Sequence, residues 1–162
     1  MNEGEKNLLM LCSVEHARHG RYDDALEVIT RILDEDPGDY QALFHKVFTL
    51  RMAGRKDEAR ELIISLLDLM PDSAGVHFQA GQIFSDCGDL QRAREHFLRV
   101  TDLQPFSADA WIELGALSVR LGRPEDANEI FRNGSVFAPD DASIWIQLGI
   151  SYISGKDPDE AL

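Results

Sequence analysis

Apolar residues recur along the chain at helical spacing. In one stretch Leu43, Phe44, Val47, Phe48 and Leu50 make a stripe of period 3.6. Gly54 interrupts the pattern, as suits a residue that ends a helix in the left-handed conformation. A second stripe follows over Asp57 to Leu69, with Leu62, Ile63, Leu66 and Leu67 as its apolar face. A proline then closes the unit, where it blocks helix continuation. No Val/Thr-rich alternating stretch predicts a strand. The pattern therefore predicts helix pairs and no sheet.

The same unit returns. Pro37, Pro71, Pro105 and Pro139 are evenly spaced. Ala25, Ala59, Ala93 and Ala127 keep the same interval, and Ala161 continues it. So do the turn glycines Gly20, Gly54, Gly88 and Gly122, a second glycine series at Gly81, Gly115 and Gly149, and the pair Trp111 and Trp145. A helix pair this short cannot bury its own apolar face, so neighbouring units must stack.

These residues resemble the tetratricopeptide repeat, a helix–turn–helix unit of the same period with the pattern W-x2-L-G-x2-Y…A-x3-F…P. Trp111, Leu114, Gly115, Ala127, Phe131 and Pro139 form one copy; Trp145, Leu148, Gly149, Tyr152 and Ala161 belong to the next. The middle copy keeps Ala80, Gly81, Phe84, Ala93, Phe97 and Pro105 but has His77 in the tryptophan position. The first two copies depart further, with Leu9, Cys12 and Ser13, then Leu43, Lys46 and Val47, in place of Trp, Leu and Gly. The resemblance implies an all-α, right-handed α-solenoid of stacked antiparallel helix pairs. Four full repeats are expected at about 6–39, 40–73, 74–107 and 108–141, with an incomplete fifth at 142–162, in one array over 1–162. Lys156 to Leu162 reads as the start of another second helix, so the chain reads as a fragment of a longer protein or as one with a self-associating C-terminal end.

Charge and composition narrow the function classes. Of the 162 residues, 44% are hydrophobic and 28% charged, a globular composition. The formal net charge of -13 argues against nucleic acid and anionic membrane as partners. No apolar run approaches the roughly 20 residues of a membrane span. The acidic start, Met1 to Lys6, is unlike a signal peptide. Cys12 and Cys87 are too few for a disulfide framework or a zinc site, and a cytoplasmic protein is expected.

No catalytic constellation emerges, and no enzyme, cofactor or metal is expected. Glu15-His16-Ala17-Arg18-His19 lacks the H-E-x-x-H order of a zinc-protease helix, and predicts one packed and one exposed histidine. The carboxylate run Asp34 to Asp39 lacks calcium-loop spacing and reads as a solvated junction. No phosphate-binding or nucleophile-elbow motif occurs. Cys12 reads as a core residue and Cys87 as partly exposed. Gly134 sits in a helix interior, at about 1 kcal/mol relative to alanine.

The resemblance also implies an interaction module, with first helices lining a concave groove. Groove positions from the N-terminal side are Met10, Arg18, Phe44, His45, Phe48 and Arg51, with Leu11 and Val14 beside them. Further along they are Phe78, Gln79, Gln82, Ile112, Glu113 and Ile146, with Ala116, Arg120, Gln147 and Ile150 beside them. The phenylalanines either meet a partner or pack between repeats. Arg18, Arg51 and Arg120 either hold a partner's carboxylates or pair with neighbouring ones. One branch of the family is a carboxylate clamp for chaperone tails; its places here hold Met10, Val14, His45, Gly75 and Gln79, so that clamp is absent. The asparagine ladder of another branch is absent too, since Leu11, His45, Gln79, Glu113 and Gln147 stand there. A scaffold for a protein or peptide segment, amphipathic or extended, is the leading expectation. The alternatives are a regulatory or targeting segment of a larger enzyme, such as a transferase or peptidase, and a small secretion-type chaperone.

Overall fold

A computed structural model describes residues 1–154. Ala161 and the Lys156–Leu162 stretch lie outside the described residues. The helices are α1 (Glu3–Arg18), α2 (Tyr22–Glu35), α3 (Tyr40–Met52), α4 (Lys56–Leu69), α5 (Ala74–Asp86), α6 (Leu90–Leu103), α7 (Ala108–Arg120), α8 (Pro124–Phe137) and α9 (Ala142–Ser154). No strand occurs among the described residues. The helices fall into two compact units, Met1–Pro71 with α1 to α4, and Asp72–Leu162 with α5 to α9.

Punctuation of the chain is chemical and returns once in every repeat. Gly20, Gly54, Gly88 and Gly122 have φ of 72, 75, 83 and 73°. Only glycine takes that conformation without Cβ strain. In the four full repeats the first helix ends in a Schellman motif: after α1, Gly20 donates to Ala17, and Arg21 donates to the His16 carbonyl at 2.9 Å. The same pair of bonds recurs after α3, α5 and α7. Each second helix ends at the residue before a proline. Asp36, Met70, Gln104 and Ala138 have left helical geometry, with φ of -137, -134, -138 and -127°. Proline disfavours helical geometry in the residue before it. Asp39 and Ser73 cap α3 and α5 by accepting from Ala42 and Val76.

Packing within each unit relies on small residues. Ala25, Ala59, Ala93 and Ala127 are fully buried. A Cβ on Gly81 would stand 2.7 Å from the Phe97 ring, and one on Gly115 would overlap Phe131. α5 therefore lies against α6, and α7 against α8, closer than alanine permits. The equivalent residues in the first unit are Ser13 with Ile29 and Val47 with Ile63, all buried. In the second unit, Trp111 stacks on Phe137 at 5.8 Å and donates its indole N–H to the Pro105 carbonyl. Trp145 makes the same bond to Pro139, one repeat further on.

Several details differ from the sequence reading. Cys12 is exposed on α1 instead of lying in the core. Phe48 leaves its expected stripe and is 41% exposed, while Leu62 and Leu67 are half-buried. Most of the Asp34–Asp39 run is solvated, but Asp39 is buried and its carboxylate lies 2.6 Å from Lys6 Nζ. Gly134 has a steric reason: a Cβ there would run into Ile144 and stand 2.7 Å from the Trp111 Cβ.

Candidate functional site

The residues expected to meet a partner lie on the first helices, α1 and α3 in one unit and α5, α7 and α9 in the other. In the first unit, Met10 is withdrawn from that face. It is 8% exposed and packs with Ile29, Ile32 and Ala42. It is a core residue, because this side of α1 turns toward α2 and the start of α3. Arg18 is exposed, 3.6 Å from the Glu15 carboxylate one helical turn away. Phe44 is half-buried, with the His45 ring edge-on to it at 6.4 Å. Burial holds the His45 imidazole below the usual histidine range. Phe48 is exposed and Arg51 half-buried.

In the second unit, Phe78 packs on Ala74, Val100 and Ala110 and sets its ring edge toward Phe97 at 5.6 Å. Phe78 is half-buried by these contacts. Gln79 is 5% exposed, against the expectation of an accessible residue. Gln82 on α5 donates to Glu113 on α7 at 3.4 Å, and both are half-buried. Arg120 on α7 reaches the hydroxyl and, at 3.4 Å, the carbonyl of Ser85 on α5. These two links hold α5 and α7 side by side. Ile112 is half-buried and Ala116 exposed on α7, while Ile146 and Ile150 on α9 are 58% and 51% exposed.

On the first helices of the second unit, the exposed aliphatic side chains thus include Ala116, Ile146 and Ile150, with Ile112, Gln82 and Glu113 half-buried. The sequence reading misses Ser85; its only signal is its place one repeat and one residue before Arg120. Among the described residues, no three His, Cys, Asp or Glu side chains assemble as a metal site, and no helix is long and apolar enough to cross a membrane. Two family models, each described as a tetratricopeptide repeat, match residues 16–80 and 78–133. This chain belongs to the tetratricopeptide repeat family. Its tetratricopeptide fold is shared with solved structures of low identity. A crystal structure of MamA protein has TM-score 0.77 and 22% identity, covering 96% of this chain and 85% of that one. MamA 41-end from Desulfovibrio magneticus RS-1 has TM-score 0.75 and 19% identity, covering 86% and 79%. TTC0263, a thermophilic tetratricopeptide repeat protein in Thermus thermophilus, has TM-score 0.76 and 23% identity, covering 96% and 86%. No curated protein matches the chain. At these identities the likeness shows the fold, an all-α solenoid of helix pairs. Tetratricopeptide folds generally serve as protein–protein interaction scaffolds without catalytic activity.

Proposed function

We propose that this protein is a non-enzymatic scaffold that takes a helical or extended partner segment on the first-helix face of its second unit. The observation that carries the reading is the exposure of Ile146 and Ile150 beside Ala116 and the half-buried Ile112. Covering an isoleucine removes apolar surface from water, worth roughly 1.5–3 kcal/mol for a side chain taken from full exposure to full burial. Glu113 and Gln82, already bonded to each other, supply a polar edge that sets the direction of a bound segment. The first unit, taken by itself, carries Phe44, Phe48, His45, Arg18 and Arg51 as a separate set of contact positions on α1 and α3. Two free cysteines, one of them exposed, fit a reducing cytoplasm.

Selection from a displayed library of amphipathic peptides tests the reading. Selected peptides should carry an apolar stripe and lose at least tenfold in affinity for an Ile146→Ser/Ile150→Ser variant. Equal binding to the folded variant would remove this face from consideration. A second copy of the chain competes for the same residues, because Trp145 and Tyr152 on α9 are also exposed. Sedimentation velocity distinguishes the two: self-association makes the sedimentation coefficient rise with concentration and fall back in the double variant.

A further inference from the structure

His77 and His96 are each out of keeping with their repeat positions. In the register of the repeat, His77 stands where the other units have Leu9, Leu43, Trp111 and Trp145. His96 stands where they have Val28, Leu62 and Ile130. Two apolar positions have become imidazoles in one and the same repeat, on opposite helices of the pair. The two rings meet: Nδ1 of His77 lies 3.0 Å from Nδ1 of His96, with ring centroids 5.3 Å apart and planes at 39°.

A hydrogen bond between two Nδ1 atoms needs one that carries a proton and one that does not. Two neutral rings of opposite tautomer satisfy it. So does one imidazolium donating to one neutral ring. Two imidazoliums do not, because N–H then faces N–H and two positive charges stand at contact distance. We propose that the His77–His96 pair is an acid-sensitive clamp between α5 and α6, closed while the pair holds at most one added proton and opened when both rings are protonated.

The surroundings favour the closed state. Both rings are half-buried. His96 stacks on Phe84 at 5.3 Å and 12°, and Arg92 stands 5.5 Å from the same phenyl centroid. Burial and the neighbouring His77 hold His96 below the usual histidine range; Glu95 opposes this and Arg92 adds to it. On α7, which packs on α6, the charged side chains are Asp109, Glu113 and Arg120. Glu113 is engaged by Gln82 and Arg120 by Ser85. Any effect of the clamp on partner binding rests on the proposed binding face, since α5 carries both the clamp residue His77 and Gln82.

Imidazole NMR titration of the wild type is the direct test. His77 and His96 should protonate in two coupled steps separated by roughly a unit or more. In His96→Leu or His77→Trp, which install the residues of other repeats, the remaining imidazole should titrate in a single step with no coupled second one. The melting temperature of the wild type should fall further between pH 7.5 and 5 than that of the His77→Trp/His96→Leu double variant. His16, His19 and His45 are common to both and cancel. Equal titration of the rings in wild type and single variants overturns the proposal, as does an unchanged pH dependence in the double variant. If a variant does not fold, the separation of the two wild-type steps decides alone. Peptide binding that is absent at every pH defeats the binding face and leaves the clamp standing.

Discussion

Gly81 lies against the Phe97 ring, so close that even a methyl group on the glycine would stand 2.7 Å from it. The contact ties one helix of a repeat to the other and leaves room for neither partner to grow. Replacing Gly81 by valine should destabilise the protein by about 2–3 kcal/mol through overpacking. Phe97→Ile alone should cost about 1–3 kcal/mol by opening a cavity. Val47 and Ile63, both fully buried, occupy the corresponding places in the second repeat. The Gly81→Val/Phe97→Ile combination should therefore cost clearly less than the sum. A double-mutant cycle by chemical denaturation measures the coupling, and additive losses would contradict it.

Gly134→Ala should destabilise the protein. Helix propensity alone favours alanine by about 1 kcal/mol, and the sequence points that way. The added methyl would run into Ile144 and crowd Trp111, so steric cost decides the sign. A rise in thermal stability of the variant would show that α8 can shift away at little cost.

Asp39 caps α3 and meets Lys6 of α1. Burial works to raise its pKa, but the hydrogen bond from Lys6 and that from the Ala42 N–H outweigh it, and the carboxyl is held below the usual range. A group with a lowered folded-state pKa stabilises the fold above its unfolded value. That contribution is lost as pH falls through the folded value. Asp39→Ala should cost about 1 kcal/mol at neutral pH as a lost cap. It should also flatten the decline in stability below about pH 4, read from urea midpoints at several pH values.

Cys12 is exposed on α1 and Cys87 only half so at the end of α5. A thiol reagent under native conditions should label Cys12 first, with mass spectrometry giving the order. Faster labelling of Cys87 would mean that the end of α5 opens readily.

The repeat was legible because its punctuation is local. A glycine at φ near 75° and an extended residue before a proline need no distant partner to be recognised. Which side of a helix is covered is not local. Cys12 stands at the position of Leu114 and Leu148. Leu148 is buried because Ala127 and Phe131 of the preceding pair lie against it. No helix precedes α1 among the described residues, so the same position there is open. Met10 is closed off for the converse reason: Ile29 and Ile32 of α2 and Ala42 of α3 pack against it. Periodicity gives the angle of a side chain around its helix, and the next helix decides whether solvent reaches it.

The matched partners across each helix pair bear on how such repeats are recombined. Phe97 fits Gly81, and Phe131 fits Gly115, but neither ring would fit opposite Val47. A splice at Gly54 that joined α3 to α6 or α8 would set Val47 against a phenyl ring and collide at this contact. A splice at the prolines would carry each couple across whole. The transplantable unit of this chain is the hairpin, and its seams are Pro37, Pro71, Pro105 and Pro139.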